Sequence, residues 1–447
     1  MPSPCNVDVQ LKSRLEAYPS EFWASVDRDP REDIHAYLQY PAMMVPGIQR
    51  ELVHLVHELQ PGITEVFDPF VGAGTTMTAC MHDGLNFTGH DINPLAVLVS
   101  RAKMGPFVQD ALLESTTRIV ELARSDSSTR IEADFVSIDK WFQGDVQVAL
   151  SKIRRAIRSE SRLWARRFLW VALAETVRLT SNSRTSTYKL HIRPQDEIKN
   201  RTTSATETFE AVACKNLDAL GDFRSAIGKA GHLEKDNYSG TLDIRLIDSS
   251  IGTSSVESGK KYDLLITSPP YGDSTSTVAY GQFSYLPLQW IDVDDIDGRV
   301  TDLTLLRTTQ EIDRRSLGGS TPRNLEPMIV RMKERSDAFR KTVSLLEDQP
   351  EDRTARVSVF FSDMDRALDN IVQRLREGAY TIWIVGNRHV GNLEIPMDQI
   401  MTELLALRKI TLVTSVPRRI LFRRMAARNQ ITTMMRQEHI MVFRRQG

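Results

Sequence analysis

The chain has 447 residues, 57 Lys and Arg against 58 Asp and Glu, and a net charge of −1, so bulk charge advertises neither nucleic acid nor membrane. The length allows one enlarged domain or two; no apolar run approaches membrane-spanning length, and the polar, proline-containing N-terminus has no secretory pattern. Three cysteines, Cys5, Cys80 and Cys214, show neither metal nor disulfide spacing, which points to a reducing cytoplasm.

In chain order, Tyr40-Pro41-Ala42-Met43-Met44-Val45-Pro46 leads into a helix predicted over 47–59, whose Ile48, Leu52, Val53, Leu55 and Val56 form a core-facing stripe. Val66-Phe67-Asp68-Pro69-Phe70-Val71-Gly72-Ala73-Gly74-Thr75-Thr76 is a strand running into a Gly-x-Gly turn, with a helix over 76–82. Glycines allow positive φ and close approach of a ligand to the backbone, and a helix start presents free N–H groups. The turn lacks the third glycine of a dinucleotide fingerprint and the Gly-Lys-Ser/Thr of a P-loop. Residues 86–93 form a short second strand ending in Asp91, seventeen residues after Gly74. A carboxylate there offers two acceptor oxygens to a pair of vicinal hydroxyls, and it can equally cap the helix that starts at Pro94.

From Asp91 to Asp248 the chain runs 157 residues, too far for a simple crossover, so an insertion with its own structure intervenes. Inside it, Phe142, Val146, Leu150 and Ile153 share one helical face, and 161–179 is a second helical run too apolar to be solvated. Residues 180–191 then combine small polar side chains, cations and an aromatic, which suits phosphate and base-edge contacts and also suits a Ser/Thr-rich connector. Charge is uneven. Residues 152–201 hold thirteen Lys and Arg against four Asp and Glu, and 408–447 hold ten against one. Such runs suit a phosphate backbone or simply a solvated face, and the acidic runs 292–297 and 347–352 are expected to repel DNA from other faces.

A third strand over 242–247 ends at Asp248, placed either beside a ligand or in a turn with Ser249 and Ser250. The apolar strand 262–266 then meets Thr267-Ser268-Pro269-Pro270-Tyr271. Two prolines turn the backbone stiffly at a strand end and hold a hydroxyl, an outward carbonyl and an aromatic ring in one small space. Two acceptors beside a flat surface suit an exocyclic amine on an aromatic ring. A buried strand over 379–387 and two last strands, 410–416 and 438–443, complete the series, leaving the helical stretch 286–346 without a role.

The Ser-Pro-Pro-Tyr turn resembles motif IV of the amino-methylating DNA methyltransferases, with Ser268 in the first position as in the cytosine-N4 branch. The glycine turn resembles motif I of S-adenosylmethionine-dependent methyltransferases, and the segment 41–46 resembles motif X. The resemblance implies an α/β, Rossmann-like S-adenosylmethionine methyltransferase, with a seven-stranded, mostly parallel sheet and a large, mainly helical insertion. It implies that residues 1–105 carry motifs X, I and II, that 106–238 are the inserted target-recognition region, and that 239–447 carry motif IV and the closing strands. S-adenosyl-L-methionine is then expected at Tyr40, Pro41, Met43, Asp68, Phe70, Gly72, Gly74, Thr75, Asp91, Ile92 and Asp248. Catalysis falls to Ser268, Pro269, Pro270 and Tyr271, DNA contacts to Arg184, Tyr188 and Lys189, and no metal is expected.

The expected reaction is methyl transfer to the N4 amine of cytosine in duplex DNA, with the nucleotide flipped out of the stack. Adenine-N6 methylation, an RNA-base methyltransferase and an inactive DNA-binding subunit are the competing expectations. Cytosine-C5 chemistry needs a Pro-Cys nucleophile, and Pro4-Cys5 lies ahead of every cofactor motif. The expected partners are double-stranded DNA and a separately encoded restriction endonuclease or defence partner, in a bacterial or archaeal cytoplasm at the nucleoid.

Overall fold

The computed structural model describes residues 4–24, 32–251, 259–274, 277–298, 303–420, 435 and 437–447. Seven strands, β1 (Glu65–Asp68), β2 (Asn86–Asp91), β3 (Leu242–Leu246), β4 (Tyr262–Thr267), β5 (Leu375–Gly386), β6 (Ile410–Arg419) and β7 (Gln437–Arg445), form one sheet in the order β6-β7-β5-β4-β1-β2-β3. Only β7 runs antiparallel to its neighbours. This is the expected α/β architecture. Side chains alternate between two cores: Val66, Leu264 and Ile266 face one, Phe67 and Leu265 the other, which is why the inner strands read as unbroken apolar runs.

Two ends differ from the sequence expectation. β3 stops at Leu246, leaving Asp248 in the turn beyond it. β6 continues past Val416 through Pro417 to Arg419, where a central strand would have stopped. It lies at the edge of the sheet, where proline's missing N–H leaves no ladder bond unmade.

Helices α1 (Pro46–Leu59), α2 (Thr75–His82) and α3 (Pro94–Ala102) serve the β1–β2 unit. The chain then leaves the sheet for α4 (Gln109–Ser125), α5 (Gly144–Arg158), α6 (Leu163–Thr180) and α7 (Ala205–Lys229). On α6 every residue from Phe168 to Ala174 is buried, so it is the spine of the insertion rather than a surface element. Phe142 sits just before α5, at the end of a short helix at Ile138–Trp141, while Val146, Leu150 and Ile153 are on α5 and buried.

The acidic run 292–297 corrects its expected role. Asp292 receives Arg154 and Arg158, at 2.9 and 2.6 Å, and Asp295 receives Arg166 through two nitrogens at 2.7 and 2.8 Å. Trp170 Nε1 donates to the same Asp295 at 2.7 Å. These acids staple the insertion to the segment after α8 (Tyr280–Trp290), so much of the basic run 152–201 is neutralised internally. In the second basic run, Arg423, Arg424, Arg428 and Arg436 lie outside the described residues. Among the described residues no helix is long and apolar enough to cross a membrane.

Candidate active site

Strand order reverses at β1, with β2 on one side and β4 on the other, and a doubly wound sheet opens a crevice beyond the carboxyl ends of such strands. The cavity lies there, an open cleft enclosing about 870 Å³ of atom-free space with the solvent at its mouth included. Tyr40, Pro41, Met43, Phe70, Gly72, Thr75, Asp91, Ile92, Asp248, Ser268 and Pro270 all line it.

Gly72 and Gly74 have φ of +51° and +80°, a backbone region that disfavours other side chains. A Cβ on Gly72 would stand 3.9 Å from the Tyr40 ring, between the two walls of the cavity. Asp91 Oδ2 accepts the Gly72 N–H at 2.9 Å and Oδ1 the Asn93 N–H at 2.8 Å. Each oxygen has a second lone pair left for a ligand hydroxyl. Burial pushes this carboxyl up to about 6, against those two N–H bonds. Asn93, rather than Asp91, caps α3, through its Oδ1 and the Leu95 N–H at 3.0 Å. Its amide also donates to the Tyr40 hydroxyl and to Ser284, tying the Tyr40 side of the cavity to α8.

Asp68 and Gly74 lie beneath the wall. Asp68 is fully buried, and Oδ1 accepts from Phe70 N at 3.0 Å and from the Thr267 hydroxyl at 2.5 Å. Burial raises Asp68 to about 7, opposed first by the Thr267 bond. Thr267 thereby ties the glycine turn to the strand that carries Ser268. Under the same turn Lys103, almost fully buried, donates to the Ala73 carbonyl at 2.7 Å, and desolvation brings it down to about 7. Lys103, at a helix end, carries no motif, and Thr267, although it heads the Ser-Pro-Pro-Tyr turn, shows nothing in sequence of its bond to Asp68. Asp248 behaves as a turn residue, its Oδ1 accepting from the Ser250 N–H and hydroxyl, while it also lines the cavity.

At the Ser-Pro-Pro-Tyr turn, Ser268 Oγ lies 3.1 Å from the Tyr271 hydroxyl and 3.2 Å from the Ile384 carbonyl. Tyr271 donates to Glu438 Oε1 at 3.1 Å. Burial, reinforced by Glu438, holds the phenol well above its ordinary value, so it keeps its proton. Pro269 and Tyr271 are not among the described residues that line the cavity; the tyrosine ring packs beside Gly386. Behind it Arg388 and Asp273 form a buried ion pair at 3.1 Å.

Over 421 residues, 92% of this chain and 90% of the relative, the sequence is 30% identical to type II methyltransferase M.MvaI of Kocuria varians. The chain belongs to the type II methyltransferase family. It is a DNA methyltransferase, with S-adenosylmethionine as its methyl donor. The family model described as D12 class N6 adenine-specific DNA methyltransferase matches residues 46–224. Two solved structures of the rRNA methyltransferase aviRa from Streptomyces viridochromogenes match at 11% and 10% identity, with TM-scores of 0.31 and 0.32. Those alignments cover 90% and 94% of this chain, and 86% and 96% of the aviRa chains. Likeness at that level carries no weight for function.

The cavity of this type II methyltransferase fits its methyl donor chemically. Asp91 has spare acceptors for vicinal hydroxyls, the side chains of Pro41, Met43 and Met44 give an apolar wall, and glycine 72 leaves the space open. Among the described residues no group of His, Cys, Asp and Glu could hold a metal ion. The loop 180–191 reaches this site through α8. Leu190 N donates to Gln282 Oε1 at 3.3 Å, and the half-exposed Tyr188 meets Phe283 edge-on at 5.9 Å. Phe283 in turn packs on Tyr40 in the cavity lining. Arg184 is exposed and Lys189 part-buried, and neither forms an ion pair among the described residues.

Proposed function

We propose that this enzyme methylates the exocyclic N4 amine of cytosine in duplex DNA, and Ser268 is the observation that carries the proposal. It lines the cavity as a small hydroxyl acceptor where the adenine-N6 type usually has Asp or Asn. S-adenosylmethionine supplies an electrophilic methyl group on a sulfonium centre. Ser268 Oγ and the Pro269 carbonyl accept the two amine hydrogens, which draws the nitrogen toward tetrahedral geometry and frees its lone pair. Positioning and electrostatics then supply most of the acceleration. The nitrogen attacks the sulfonium methyl in line, its N–C bond forming as the S–C bond breaks and the thioether leaves. The nitrogen then carries a positive charge and sheds a proton readily, so no strong base is required. A stacked cytosine is out of reach, so the nucleotide leaves the duplex and stacks on Tyr271.

Adenine-N6 transfer is the second reading, favoured by the description of the matching family model. That match covers the glycine turn, Asp91 and most of the insertion, and stops before Ser268, so it bears on the cofactor half of the molecule. We assign target recognition to the insertion, with Arg184, Tyr188 and Lys189 on DNA, and a separately encoded restriction endonuclease as the functional partner. The test is methylation of duplex DNA followed by digestion to nucleosides and mass spectrometry. N4-methylcytosine is expected; N6-methyladenine as the product would replace the cytosine reading with the second one.

A further inference from the structure

Glu438 stands on β7 directly opposite Arg418 on β6, and it faces Gly386 across the other ladder. Arg418 and Glu438 are each less than a tenth exposed. Arg418 Nη1 donates to Glu438 Oε2 at 2.8 Å, and its Nε donates to the Trp23 carbonyl at 2.9 Å. The other carboxylate oxygen takes the Tyr271 hydroxyl. Gly386 makes room for this arrangement, since a Cβ there would come within 3.0 Å of Tyr271 Cδ2. A continuous chain of polar contacts therefore runs from Trp23 through Arg418, Glu438 and Tyr271 to Ser268.

We propose that Glu438, acting through Tyr271, is a positioning residue for methyl transfer that fixes the direction of the Ser268 proton. The inference rests on Ser268 receiving an amine hydrogen. An ionised carboxylate accepts only, so the single Tyr271 proton is committed to Glu438. The Tyr271 oxygen then meets Ser268 solely as an acceptor. Among the described residues the Ser268 hydroxyl is held between two acceptors, Tyr271 and the Ile384 carbonyl, and it takes both to keep its proton turned away from the amine and its lone pairs toward it. A hydroxyl without this arrangement could turn its proton toward the amine and oppose the substrate's own donors. In Glu438→Gln, Arg418 would hold the amide oxygen and leave the NH2 to donate to Tyr271. Tyr271 would then donate its hydrogen bond to Ser268 Oγ and occupy an acceptor site that the amine needs.

The experiment uses the full chain with duplex DNA and measures single-turnover methyl transfer, cofactor affinity and DNA KM. Glu438→Gln and Tyr271→Phe should each slow the transfer step by about tenfold or more, with cofactor affinity and KM changed by less than about twofold. Because the two residues act in series, the double variant should be no slower than the slower single variant. Multiplying effects, or wild-type turnover in Tyr271→Phe, would overturn the proposal. Should Glu438→Gln fail to fold, with its buried arginine left unpaired, Tyr271→Phe still decides, because it keeps the ring and the ion pair and removes only the hydroxyl. Nucleoside analysis of the wild-type product separates the readings. A product of N6-methyladenine would sink the cytosine assignment alone, and loss of coupling between Tyr271 and Glu438 would sink this inference alone.

Discussion

The two ends of the cavity are built by different means. At the cofactor end Asp91 is held by two backbone N–H groups, from Gly72 and Asn93, all within one short stretch of chain. At the Ser-Pro-Pro-Tyr end Ser268 and Tyr271 depend on Ile384 and Glu438, which lie 116 and 167 residues away in sequence. Backbone donors near a turn serve any carboxylate that follows it, so the first end folds as a local motif. The second needs the antiparallel β7 in place before its serine can be oriented. The two ends meet where the Thr267 hydroxyl donates to Asp68 and the Thr76 hydroxyl to the Ile266 carbonyl.

This separation can be broken by substitution. Ser268→Ala and Tyr271→Ala should lower turnover by about 100-fold or more, the scale of losing a positioned hydrogen-bonding group at a reacting centre. Calorimetry should find cofactor affinity nearly unchanged in both. Wild-type turnover in Tyr271→Ala would remove the tyrosine from the chemistry.

The converse substitutions act at the other end. Gly72→Val forces a β-branched side chain into positive φ and into the space facing Tyr40, and binding of S-adenosylmethionine should be lost or nearly so. Asp91→Ala should weaken it by roughly five- to hundredfold, the equivalent of about 1–3 kcal/mol for lost hydrogen bonds. An unchanged Kd in a folded Asp91→Ala protein would take the acid out of the site.

Lys103 sharpens the comparison, because it supports the glycine turn with a buried cation. Its folded value near 7 lies below the ordinary 10.5, so the unfolded chain binds more protons between those two values. Stability therefore rises with pH across that window, and the cost of burying the cation is fully present only below about pH 7. Relative to wild type, Lys103→Met should gain most at about pH 7 and progressively less toward about pH 10, measured by urea unfolding. Parallel stability curves for the two proteins would contradict a desolvated lysine.

The smallest effects are expected at the loop 180–191, proposed to contact DNA. Arg184→Gln and Lys189→Gln should each either reduce the salt slope of DNA binding by about 1 or relax preference at one base position. If both leave affinity, salt slope and site choice untouched, recognition lies elsewhere. The region of Glu311–Arg315, whose Ile312 reaches the cavity wall, is then the next segment to test.

Much of the cofactor end could be seen in the residues themselves. Gly72, Gly74 and Asp91 occur at spacings that a strand, a turn and a strand impose whatever surrounds them, and the apolar runs of β1, β4 and β5 announce strands buried on both faces. The insertion was legible as an excess of chain length. Its charges were not, since sequence shows thirteen cations in one run but not that Asp292 and Asp295 fold back to neutralise several of them.

By itself the sequence determined the order of the strands along the chain, the glycine turn, and the presence of a hydroxyl, two prolines and an aromatic at the end of β4. These are local matters, set by φ preferences, side-chain periodicity and the missing N–H of proline. Tertiary structure alone decided that Tyr271 leans on Gly386 and donates to Glu438, that Arg418 reaches Trp23, and that Lys103 runs beneath Ala73. Each of those contacts joins groups brought together by the assembled sheet or by helix packing, and a buried polar group takes whichever partner the fold sets beside it.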